Sequence, residues 1–113
     1  MKITVGEKEY TQDYVRAIAL REIERPMAIL EKVRENPEAL IPKSDLDELV
    51  RWFCLFFGNQ FNADEFWNGY PADRVRADIF EAIMYCQAGV TKVLHDFPTQ
   101  AEAIPQIMQE KEQ

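Results

Sequence analysis

Apolar positions along this chain recur first every second residue and then every third or fourth. In Lys2–Thr11 the alternation reads as two short strands, and Gly6-Glu7 supplies the central pair of a type II′ turn with glycine first. That turn sets Val5 opposite Lys8 and Ile3 opposite Tyr10, so Ile3 and Tyr10 share a face. So small a hairpin must lie on a helix or on a neighbouring subunit. From Asp13 the period becomes helical, with Leu20, Ile23, Met27 and Leu30 in step and Thr11 as a candidate N-cap. Pro26 kinks this helix or splits it into Asp13–Glu24 and Pro26–Glu35. Asn36-Pro37 and Pro42 mark a loop. Ser44 with Asp47 reads as a capping box for a third helix running to about Phe57, stopped by Gly58-Asn59.

Two helix starts then crowd around one aromatic corner. Asn62 with Glu65 three residues on predicts an N-cap; Phe66 and Trp67 follow, and Gly69 ends a short helix. Pro71 suits the first turn of the last main helix, whose stripe is Val75, Ile79, Ile83, Cys86, Val90 and Val93. Gly89 is a place for that helix to bend or end early. Beyond Pro98 the chain is rich in Gln, Glu and Ala and is expected to be frayed. The predicted fold class is mainly α: a small helical domain of four to five helices with a short N-terminal β-hairpin. Residues 1–97 form one domain, hairpin over 1–12 and helices over 13–97, with a flexible polar tail at 98–113. No internal repeat is visible.

Composition narrows the function classes. With 113 residues the chain holds one modest core, and 47% apolar residues exclude a wholly disordered polymer. A net charge of −7 and a pI near 4.7 repel phosphate backbones, and Lys and Arg form no basic stripe. Nucleic acid is therefore not an expected partner. Nor is a membrane, since the longest apolar run, Trp52 to Phe57, is too short to span a bilayer. The N-terminus lacks signal-peptide features, and Cys54 and Cys86 lie in apolar helical patterns, which suits a reduced buried pair in the cytoplasm, a disulfide being the lesser alternative.

Candidate chemistry reduces to structure at most positions. Asp45, Asp47 and Glu48 occupy a first helical turn, where they complement the macrodipole without a cation, and Asp64 and Glu65 do the same. Arg74 and Asp78 have i,i+4 spacing for an exposed ion pair. His95 has no HxxxH partner, the cysteines lack CxxC spacing, and no glycine-rich phosphate loop or nucleophile elbow is present. No cofactor or metal is expected. The helix from Ser44 carries a stripe of Leu46, Leu49, Val50, Phe53 and Phe57, with Trp52, Leu55 and Phe56 off it. Either this helix is central and buried on several sides, or a partner covers its second face. Phe80 and Met84 stand off the stripe of the last helix in the same way. With Trp67 and Tyr70 they complete a candidate partner-binding set: Trp52, Leu55, Phe56, Trp67, Tyr70, Phe80 and Met84.

The hairpin MKITVGEKEY, the small acidic helical domain after it and the segment FNADEFWNGYPADRVRADIFEAI together resemble the tail assembly chaperones of long-tailed bacteriophages and prophages. The resemblance covers most of residues 1–97 and brings no catalytic set with it. It implies a non-enzymatic assembly factor of the host cytoplasm, not expected in the mature virion. Such a factor binds the tape measure protein, keeps it soluble and helps recruit tail tube subunits, with the major tail tube protein a possible second partner. It also implies a longer frameshifted product, with which the polar tail is compatible. Self-association through the apolar surface, displaced by the client, is a corollary. The rival readings are a generic small acidic adaptor or regulator of a phage or prophage, and a small enzyme whose site has no local signature.

Overall fold

The computed structural model describes the backbone of residues 1–96 and the side chains of residues 1–88. Strands β1 (Lys2–Val5) and β2 (Lys8–Thr11) form an antiparallel hairpin, followed by helices α1 (Ala17–Arg21), α2 (Glu24–Glu35), α3 (Lys43–Phe56), α4 (Ala63–Gly69) and α5 (Ala72–Asp96). The fold is mainly α, five helices with a terminal hairpin, as the pattern predicts. Val5 faces Lys8 and Ile3 faces Tyr10, and Gly6 has φ +64° while Glu7 stays at negative φ, as a II′ turn requires. Ile3 and Val5 point into the core, which is the support this hairpin needs.

The first helix departs from expectation. It begins at Ala17 behind Arg16, four residues later than predicted, and Thr11 caps nothing. The hairpin ladder gains one more rung beyond Thr11: the Gln12 N–H donates to the Met1 carbonyl at 2.8 Å, and the Met1 ammonium donates to the Gln12 carbonyl at 3.0 Å. Those bonds hold the chain extended where its side-chain pattern already reads as helix. Pro26 splits rather than kinks. It is the third residue of α2, in the first turn, where its missing N–H has no intrahelical acceptor to lose.

The capping box expected at Ser44 and Asp47 does not form. Pro42, extended at φ −58° and ψ 152°, is the cap residue, and its carbonyl accepts the Leu46 N–H at 3.0 Å. Ser44 is thereby already inside the helix. Asp45 turns instead to Lys32 of α2 at 2.8 Å, an inter-helix tie. The far end of α3 stops where expected, through a Schellman motif: Gly58 N–H to Leu55 O at 2.9 Å and Asn59 N–H to Cys54 O at 2.8 Å. Gly58 and Asn59 both adopt positive φ there.

Helix α3 is the centre of the domain. It packs on α1, α2, α4 and α5, and Leu49, Val50, Trp52, Phe53, Phe56 and Phe57 are all buried. Of the surplus apolar residues on this helix, Trp52 and Phe56 are thus absorbed within the chain, while Leu55 stays half-buried. Trp52 Nε1 donates to the Ala19 carbonyl at 2.8 Å, satisfying the indole inside the core and pinning α1. Phe53 sits at the hub of an aromatic cluster, 5.1 Å from Phe57 and 5.6 Å from Phe66, centroid to centroid. Ile79, Ala82, Ile83 and Cys86 carry the α5 side of the core. The helix runs through Gly89 to Asp96 without ending there. Val90, Val93, His95 and the tail from residue 98 lie outside the described side chains.

Candidate interaction surface

The Asn62 corner is built as its sequence dictates. The Glu65 N–H donates to Asn62 Oδ1 at 2.8 Å, and the Asn62 N–H donates to Glu65 Oε1 at 2.9 Å, a complete capping box. This fixes the rotation of α4, sending Phe66 into the core and leaving the next residue, Trp67, 40% exposed. Helix α4 ends at Gly69, as the sequence predicts, and this glycine has a second role. A Cβ on it would lie 2.5 Å from the Gly6 nitrogen, and its carbonyl accepts the Gly6 N–H at 2.9 Å. Glycine is needed because the hairpin turn rests directly on the end of α4.

Between the end of α3 and the start of α4 lies an open groove of about 640 Å³. Leu55, Phe61, Ala63 and Trp67 supply its apolar lining, and Asp47, Arg51 and Glu65 its charged rim. Cys54 lines it too, but burial, reinforced by the Glu65 charge, pushes that thiol up to about 11. Burial also raises Cys86. Both remain protonated at neutral pH, the reverse of what a nucleophile or metal ligand needs.

The seven predicted contact residues do not share one surface. Leu55, half-buried, and Trp67 meet in the groove. Trp52 and Phe56 are at most 1% exposed and belong to the core, so no partner reaches them in the folded domain. They fall off the main stripe only if α3 has a single buried face, and it has several. Tyr70 is half-buried, stacked on Phe66 at 4.5 Å with its hydroxyl donating to Asp78. Burial and that carboxylate raise its pKa. Asp78 is itself buried and accepts from Arg74 at 2.7 Å, so the expected i,i+4 pair forms, half-sunk rather than solvated. Phe80 packs, half-buried, against the core. Met84 is 47% exposed on α5, its sulfur beside the Arg34 guanidinium of α2 at 3.2 Å.

Other apolar groups outside the predicted set are exposed as well. Tyr85 stands beside Met84, edge-on to Phe56 at 6.3 Å, and the Leu40 side chain is 95% exposed in the α2–α3 loop. Tyr85 follows the stripe residue Ile83 by two positions, which places it off the buried face once the helix is phased correctly. No group of three or more potential metal ligands occurs among the described residues, and no helix among them is long and apolar enough to cross a membrane.

A family model described as phage tail chaperone protein matches residues 1–111 of the chain. Neither the curated proteins nor the solved structures contain a match to it.

Proposed function

The chain belongs to the phage tail chaperone family, and on that premise we propose that it binds the tape measure protein, keeps that long helical client soluble and helps recruit tail tube subunits around it. The reading includes no catalysis. The observation that carries it is the α3–α4 groove: an apolar floor of Leu55, Phe61 and Trp67 inside a rim bearing carboxylates, on a domain of net charge −7. Such a groove suits one face of an amphipathic helix, with Trp67 as the anchoring aromatic. The surrounding negative charge keeps a chaperone–client complex dispersed. Self-association through the same groove, released by the client, follows from the same surface. The work is done in the host cytoplasm, before the tail is complete.

Co-expression with a tape measure fragment tests this. The chaperone reading requires that the chain co-purify with the fragment and raise its soluble yield. No retention at micromolar concentrations, with the domain folded, contradicts it. Light scattering with and without the fragment reads self-association in the same samples.

A further inference from the structure

The hairpin has an unfinished edge. Met1 and Gln12 exchange both their backbone bonds, as do the hydrogen-bonded pairs Ile3–Tyr10 and Val5–Lys8 by register. The N–H and C=O groups of Lys2 and Thr4 therefore point away from β2, along the free edge of β1. One rung of a third strand already exists there, the bond from the Gly6 N–H to the Gly69 carbonyl at 2.9 Å. Tyr70 continues in an extended conformation, at φ −109° and ψ 138°, but Pro71 then turns the chain into α5 and away from the edge. The rungs beyond, at Thr4 and Lys2, have no backbone partner among the described residues. They open on a slot of about 630 Å³ between β1 and the first turns of α5.

We propose that this edge takes up an extended segment of a partner protein, bearing basic side chains, as a third strand hydrogen-bonded to Lys2 and Thr4. Unpaired strand edges recruit extended peptides in this way. The slot has a wall on each side, β1 and the stretch from Pro71 into α5 as far as Glu81, which admits a single extended chain more readily than the edge of a second folded domain. The slot itself is charge-balanced: Arg74 pairs with Asp78, and the Met1 ammonium and Lys2 stand against Glu9 and Glu81. The sign of the occupant is set by the domain around it, whose net charge of −7 attracts a basic segment and repels a second copy of the same chain. On the β2 edge the Thr11 carbonyl is already taken, by the side-chain amide of Gln60 at 2.9 Å. This site is separate from the Trp67 groove and stands whether or not that groove holds a tape measure helix.

Backbone hydrogen exchange on the isotope-labelled full chain reads the edge directly. The probe is a short acetylated, amidated peptide of alternating lysine and valine. Without it, the Lys2 and Thr4 amides should exchange rapidly while Ile3 and Val5 are protected. Peptide at about ten times its dissociation constant should slow Lys2 and Thr4 by about tenfold, and the same peptide N-methylated at alternate residues, or with glutamate for lysine, should not. Thr4→Pro removes one donor at an edge position that tolerates proline, and should abolish the protection while the circular dichroism spectrum is kept. Four results overturn the proposal: protection of Lys2 and Thr4 in the free protein; protection that rises with protein concentration alone, which assigns the edge to a second copy; an unchanged rate at about 1 mM peptide, where even weak modules bind; or equal protection by the N-methylated peptide.

Discussion

The carbonyl of Gly69 accepts the N–H of Gly6 across 2.9 Å, so the last residue of α4 and the hairpin turn are in backbone contact. A methyl group on Gly69 would meet the Gly6 nitrogen at 2.5 Å and its Cα at 2.9 Å. Both of those atoms are backbone, which cannot swing aside. Gly69→Ala should therefore destabilise the domain by about 1–3 kcal/mol, the usual cost of overpacking. At Gly6 a Cβ meets nothing within 4 Å, so Gly6→Asn, tolerant of positive φ, should cost far less. Urea unfolding of the two variants measures the difference, and equal costs would argue against the docking of turn on helix.

The two tryptophans should behave oppositely. Trp52→Phe leaves the Ala19 carbonyl buried without its donor, a loss of about 1–3 kcal/mol. Trp67→Phe, at a half-exposed site, should stay within about 0.5 kcal/mol. Fluorescence separates them as well, because Trp67 alone should be quenched readily by a small solute.

Alkaline pH should weaken the fold through its thiols. Cys54 is raised from an ordinary 9.0 to about 11, so the folded state holds that proton more tightly than the unfolded chain. Its stabilising contribution is complete below pH 9 and is lost as pH rises towards 11. Cys86 and Tyr70 shift in the same direction. Chemical denaturation at stepped pH should show a plateau and then a fall through this window, shallower in Cys54→Ala. Alkylation of the native protein at neutral pH should be slow at both cysteines.

The hydroxyl of Tyr70 and the carboxylate of Asp78 form one unit with Arg74. Tyr70→Phe should cost about 1 kcal/mol, and Asp78→Ala more, since it strands the hydroxyl too. A double-mutant cycle should give a coupling of at least about 0.5 kcal/mol. Additive losses would mean the two groups do not communicate.

What could be read from the chain in advance was mostly short-range chemistry. The Gly6-Glu7 turn, the Asn62–Glu65 box and the stop at Gly58-Asn59 each depend on residues within a few positions of one another, and each formed as its sequence predicts. Most of the misreadings involve partners distant in sequence. The start of α1 is delayed by the Met1–Gln12 rung, while the Ser44 box is the one local misreading, lost because Pro42 caps α3 two residues earlier. Gly69 has a sequence context like any helix-ending glycine, and only the approach of Gly6 reveals why no side chain fits. The candidate surface suffered in the same way. Trp52 and Phe56 look surplus on one helix taken alone, and become core once four other helices surround α3. Trp67 was legible because the capping box beside it fixes which way it faces.

Whether the client is held at the α3–α4 groove is read most directly by titrating a tape measure fragment into the wild-type chain, Trp67→Ala and Met84→Ala. Binding should weaken at least about tenfold, or about 1.4 kcal/mol, in Trp67→Ala, with Met84→Ala near wild type and all three proteins equally folded. Undiminished affinity in Trp67→Ala, or a loss confined to Met84→Ala, would contradict binding at that groove.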